Sequence, residues 1–184
     1  MNDSPKDALS REWDYALRVY ARPRVAEACL LLQERVGVDV VVMLHAMYLF
    51  SEKGIALDSQ ALAVAEARVR AWRTTVTAPL RSLRASLKTG FDGLPAAAVE
   101  DTRLKIKAAE LSAEFAAFAA LAEWTWDPGF GTAQSADGAA LLTDIARMYA
   151  GAERAGNCRE PAVRDAIRTL GDLLGPRGPK IAQP

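Results

Sequence analysis

An all-α fold is what this sequence predicts, and three observations predict it. Alanine, leucine and arginine dominate, strand-like alternation is nearly absent, and the stretches between Pro and Gly breaks are long. A chain of 184 residues fits one domain with a small appendage and can bury a substantial core. The expected architecture is a compact bundle of six or seven helices around a central apolar helix at about 39–53.

The first helix is expected over about Ser10 to Tyr20, with Trp13, Ala16, Leu17 and Tyr20 as its buried stripe. Arg22 and Pro23 end it, and Pro23 suits the first turn of the next helix because its missing N–H needs no partner there. That second helix runs to about Val36. Gly37 then reads as a left-handed helix stop and Asp39 as the N-cap of a third helix, with Gly54 and Asp58 or Ser59 repeating the same grammar at its far end.

Between these signals lies VVVMLHAMYLF, residues 40–50. Val, Tyr and Phe favour sheets, but no partner strands can be found elsewhere, and the segment has the length of an ordinary helix. A membrane span needs about 20 apolar residues, and Asp39 before this run and Ser51, Glu52 and Lys53 after it leave it too short. Apolar on nearly every face, it belongs at the centre of the bundle.

A fourth helical element is expected from Asp58 to Lys88, kinked or broken near Val76 to Ala78 because Pro79 removes a backbone hydrogen bond. GFDGLP at 90–95 reads as a loop, followed by a long helix from Ala96 to Thr125. Two further helices, about Ala139 to Ala155 and Pro161 to Leu174, form a hairpin. The domain map is therefore a bundle core at 1–126, a linker at 127–138, a C-terminal helical hairpin at 139–175 and a disordered tail at 176–184.

Three blocks, WDYALRVYARPRVAEACLLLQERVGVDV, WRTTVTAPLRSLRASLK and RLKIKAAELSAE, carry a resemblance. Over about residues 12–125 the chain resembles a family of small bacterial proteins known as conserved hypothetical proteins with a domain of unknown function. The resemblance implies no established activity, cofactor or catalytic residue. It places a glycine after the first proline, where this chain has Arg24.

Charge is balanced, with 23 Lys plus Arg against 23 Asp plus Glu, so nothing global draws the chain to nucleic acid or an anionic membrane. The polar start MNDSPKDALSREWD leads to the expectation of a cytoplasmic protein. Cys29, in the apolar context AEACLLL, reads as a reduced core thiol. By segment the charge is uneven. Residues 58–91 hold six basic groups against two acidic, a net of +4, and residues 92–130 hold seven acidic against three basic, a net of −4. Two antiparallel helices pairing their charges across a seam account for this pattern. The sharper reading takes Arg70, Arg73, Arg81, Arg84 and Lys88 as one helical face that holds an anion, with Trp72 beside it. Nucleic acid is not expected there, because the neighbouring acidic segment opposes it.

There is no GxSxG, Walker loop, HExxH or CxxC pair, and no catalytic residue is assigned. Glu110 and Glu114, four residues apart, resemble one side of a helical-bundle metal site. Such sites add a Glu-x-x-His, and this chain has only one histidine, so neither metal nor cofactor is expected. That histidine, His45, with Tyr48 on a similar face, is either a satisfied core residue or the centre of a pocket, and a glutamate from the long helix is the partner that a charged imidazole would need. The candidate ligand-binding set is His45, Tyr48, Trp72, Arg73, Arg81 and Arg84.

Two function classes follow. The first is a non-enzymatic interaction or regulatory module that binds a protein partner or itself, through an exposed face such as Leu141, Ile145, Met148, Ile167 and Leu170 of the C-terminal hairpin. The second is a small-molecule binder or enzyme, taking an anionic ligand, with a pocket around His45 and the Arg70–Lys88 face.

Overall fold

The computed structural model describes residues 5–125 and 137–174. All regular structure among them is helical. In chain order it comprises α1 (Pro5–Tyr20), α2 (Val25–Arg35), α3 (Val40–Tyr48), α4 (Ser59–Trp72), α5 (Ala78–Ser86), α6 (Ala96–Thr125), α7 (Gly138–Ala150) and α8 (Pro161–Gly171). The linker expected at 127–138 lies outside the described residues up to 136, as does the whole tail expected at 176–184. Asp137 and Gly138 instead cap and begin α7.

The punctuation around the central helix works as its residue types dictate. The Asp39 carboxylate accepts from the N–H groups of Val41 and Val42 at 2.8 and 3.2 Å, which satisfies two donors that have no partner inside α3. Gly37 and Gly54 both adopt positive φ, at 87° and 79°. After Gly54 the Ile55 N–H returns to the Leu49 carbonyl at 3.0 Å and closes the helix end. Residues 42–50 are all buried, and α3 packs against α1, α2, α4, α6 and α7. Its last turn widens into a π-helical turn over Leu49–Lys53.

A second π-helical turn, Arg73–Thr77, joins α4 to α5. Pro79 sits in the first turn of α5, so the missing N–H falls where a helix start has no use for it. The interruption expected near Val76 to Ala78 is thus absorbed as one wide turn just upstream of the proline.

Two expectations about which faces are buried are corrected. The buried stripe of α1 is Ala8, Glu12, Tyr15, Ala16 and Val19, while Leu17 and Tyr20 are exposed and Trp13 is half-buried. The helix is rotated because Glu12 faces inward. The apolar side of the C-terminal hairpin is also not an open face. Leu141, Leu142, Ile145, Val163, Ile167 and Leu170 belong to the same core cluster as Val25, Leu32, Met43 and Met47, with α8 laid along α2. Burying such a face removes apolar area from water at about 25 cal/mol per Å², a stabilisation that an open hairpin would forgo.

Pro23 lies ahead of α2 rather than in its first turn, because Arg24 occupies the left-handed region at φ 67° and a right-handed helix can start only after it. A Cβ in that region costs about 1–2 kcal/mol, against about 0–1 kcal/mol for the exposed ion pair Arg24 makes. That pair is with Asp165 at 2.6 Å. Arg24→Gly is therefore expected to raise stability by about 0.5 kcal/mol. A urea midpoint that falls in the variant counts against this reading of the turn.

Candidate functional site

The six residues singled out from sequence do not converge. His45 is fully buried, with Nδ1 at 2.6 Å from Oε1 of Glu12, itself 2 % exposed. An Nδ1–H donating to the carboxylate satisfies this contact, while Nε2 has no hydrogen-bond partner. The partner comes from α1, not from the long helix. Tyr48 is buried against Tyr15, with ring centroids 5.5 Å apart. Neither His45 nor Tyr48 lines the cavities of about 600, 290 and 240 Å³. Trp72 lies apart from both, half-exposed, and its indole N–H donates to the Ala113 carbonyl at 2.9 Å.

The arginine column is occupied by carboxylates. Arg73 forms a fork onto Glu66 at 2.8 and 2.6 Å and reaches Asp39 at 2.7 Å. Burial alone would push the Glu66 carboxyl up, but the bonds from Arg73, Tyr149 and Arg70 outweigh it and hold the group below the usual carboxylate range. Tyr149 donates its phenol to Glu66 at 2.5 Å, and burial together with Asp39 pushes that phenol well above its ordinary value. Arg81 bonds Glu110 at 2.9 Å and Glu114 at 2.7 Å, and Arg84 bonds Glu110 at 2.5 Å. The seam between the basic and acidic segments is therefore built from named pairs linking α5 to α6.

The two glutamates on α6 end in different states. Glu110 is held low, since burial is outweighed by Arg84 and Arg81. Glu114 is held high, because burial exceeds what Arg81 returns and Glu110 adds like charge. No group of His, Cys, Asp or Glu among the described residues could hold a metal ion.

Beside this seam runs a groove of about 290 Å³ between α1, α2 and α3 on one side and α5 and α6 on the other. Ala16, Leu44 and Phe118 form its floor. Leu17, Tyr20, Leu30 and Leu111 form its walls and stay exposed, at 45, 38, 46 and 46 %. Trp13 stacks edge-on to Phe115 and Phe118 at 5.2 and 5.5 Å, which locks α1 to α6 along the groove. A smaller cavity of about 240 Å³, lined by Asp39, Arg73 and Thr77 among others, adjoins it through Gln33, Val40, Val41 and Arg81. The groove is not legible in the sequence, where the spacing of Leu17 and Tyr20 reads as core. The signal available was the excess of apolar positions on α1 and α6 over what one buried face of each can hold.

Every residue lining the groove and the adjoining cavity lies between positions 13 and 118. Residues 11–121 match the family described as "Protein of unknown function (DUF2390)". The chain belongs to this family. No curated protein and no solved structure matches it. The groove thus lies wholly inside the DUF2390 region, and α7 and α8 lie beyond it. No helix among the described residues is long and apolar enough to cross a membrane.

Proposed function

We propose that this DUF2390 protein is a non-enzymatic helical interaction module whose working surface is the α1–α6 groove, and that its occupant is α6 of a second copy. The observation that carries this reading is the set of large apolar side chains, Leu17, Tyr20, Leu30 and Leu111, left open along one groove whose Arg81 and Arg84 are already paired. Apolar walls without unpaired arginine forks suit a helix more than an anion.

The ridge that would fill the groove borders it and shares Leu111 with its wall. Leu104, Leu111 and Phe115 are exposed on α6 at intervals of seven and four, which puts them on one helical face. A two-fold pair uses the same patch twice, so a groove next to a ridge is self-complementary. The rim carries both signs, with Lys107 and Glu114 at the groove, and a net charge of zero leaves no long-range repulsion between copies. A small anionic ligand at His45 and the basic face has less support, since His45 is sealed and the forks hold carboxylates. A cytoplasmic location accords with both cysteines standing as free thiols.

Light scattering over a concentration series tests the proposal. Wild type is expected to move from monomer to dimer, and Leu17→Glu with Leu111→Glu to stay monomeric with an unchanged circular dichroism spectrum. A wild type that remains monomeric throughout, or a double variant that still dimerises, overturns it.

A further inference from the structure

The cleft between α7 and α8 differs in chemistry from the groove. It measures about 600 Å³ and is lined by Arg147, Arg159, Arg164 and Arg168, with Asp172 as the one carboxylate among its lining residues. Two of these arginines have local partners. Arg147 reaches Asp144 at 3.5 Å, and Arg168 pairs with Asp165, which Arg24 also holds at 2.6 Å. Arg159 and Arg164 make no side-chain hydrogen bond or ion pair among the described residues. Arg164 and Arg168 are one turn apart on α8, the spacing at which like charges repel across a helix face. Cations therefore exceed carboxylates here, unlike the α5–α6 seam, where Arg81 and Arg84 are matched by Glu110 and Glu114.

The floor is apolar, formed by Ala139, Ala146 and Ile167, with the Thr143 hydroxyl at its edge. A cleft of this volume is in the range that takes a small organic molecule and exceeds what a free phosphate ion fills. Guanidinium groups match phosphate oxygens bidentately, and an apolar floor matches a planar or aliphatic body. We infer that the α7–α8 cleft is a binding site for a small organic phosphate, its anionic group held by Arg159 and Arg164 and its body lying on the Ala146–Ile167 floor. All lining residues lie beyond position 121, so the site belongs to the C-terminal helices and not to the DUF2390 region.

Cys158 supplies a readout. It lines the cleft and is half-buried, whereas Cys29 is fully buried and its thiol is pushed up to about 12 by burial, so a thiol reagent reads Cys158. The test follows the rate at which a disulfide reagent modifies Cys158 at low salt. Probes are ADP, glucose 6-phosphate, inorganic phosphate and a short single-stranded oligonucleotide. At least one of the two organic phosphates is expected to slow modification. Arg159→Ser with Arg164→Ser, with unchanged circular dichroism, is expected to weaken that protection about tenfold or more. Each of the following overturns the inference: no slowing by either organic phosphate, equal protection in the double variant, protection by inorganic phosphate as strong as by the organic compounds, or protection by the oligonucleotide alone.

Discussion

Glu12→Leu is expected to destabilise the fold by about 3–5 kcal/mol, the usual cost of removing one partner from a buried pair. The cost is not discounted for solvent, because His45 is 0 % and Glu12 2 % exposed. His45 already has Nε2 without a partner, so losing Glu12 leaves both ring nitrogens unsatisfied in the core. For a chain of this length, each kcal/mol moves the thermal midpoint by about 2–4 °C, and the expected fall exceeds about 6 °C. His45→Leu leaves the Glu12 carboxylate buried alone and is expected to cost a similar amount. The double variant Glu12→Leu with His45→Leu is expected to recover most of the loss, since apolar residues of similar volume often replace a buried pair at little net cost. The measurement is a double-mutant cycle by urea unfolding. Additive single effects would sink the idea that the two side chains act as a pair.

This pair also marks where sequence reading stopped. Helix ends were legible because Asp39, Gly37, Gly54 and Asp58 carry their information locally: a carboxylate that caps, a glycine that accepts positive φ. The face of α1 was not legible in the same way. A glutamate amid arginines and aspartates reads as solvated, and only the imidazole on α3, 33 positions away, turns it inward. Once Glu12 is inside, Leu17 and Tyr20 must rotate out, and the groove exists as a consequence.

The long helix presented a similar ambiguity. Its buried face combines Ala113 and Ala117, which allow close approach, with Val99, Phe118 and Leu121, while Leu104, Leu111 and Phe115 stay exposed, so large apolar residues lie on both sides and their count does not choose the face. The opposite charges of the two central segments foretold a seam, and the partners, Arg81 with Glu110 and Glu114, required the antiparallel register of α5 on α6. For the C-terminal hairpin the 3.6-residue period gave an apolar stripe on α8, but period alone does not say that α2 receives it.

Glu66 is the other position where one substitution should be felt throughout the bundle. Its carboxylate, on α4, accepts from Arg73, Arg70 and from Tyr149 on α7, and Arg73 continues to Asp39, the cap of α3. Glu66→Gln keeps the shape and removes the charge. Charge-assisted bonds contribute about 1.5–3 kcal/mol each when buried, and Arg73 remains partly solvated, so the expected cost is about 2–3 kcal/mol near neutral pH.

The pH dependence of that cost is the sharper test. Although burial pushes the Glu66 carboxyl up, the bonds from Arg73 and Tyr149 bring it below its usual value, and Glu110 is held low in the same way by Arg84 and Arg81. A carboxyl depressed in the folded state stabilises the fold fully above its unfolded pKa, about 4.3 for glutamate. That stabilisation is lost as pH falls through the folded value, because the unfolded chain then binds more protons. Glu114 runs the other way: burial raises it, so its contribution declines as pH rises through its folded value. Urea midpoints for wild type and Glu66→Gln are therefore expected to differ most above about pH 5 and to converge as pH falls below the unfolded value and through the lower folded one, where Glu66 takes up a proton and loses the charge that glutamine lacks. Parallel curves over that interval would mean that the carboxylate charge is not what joins α3, α4 and α7.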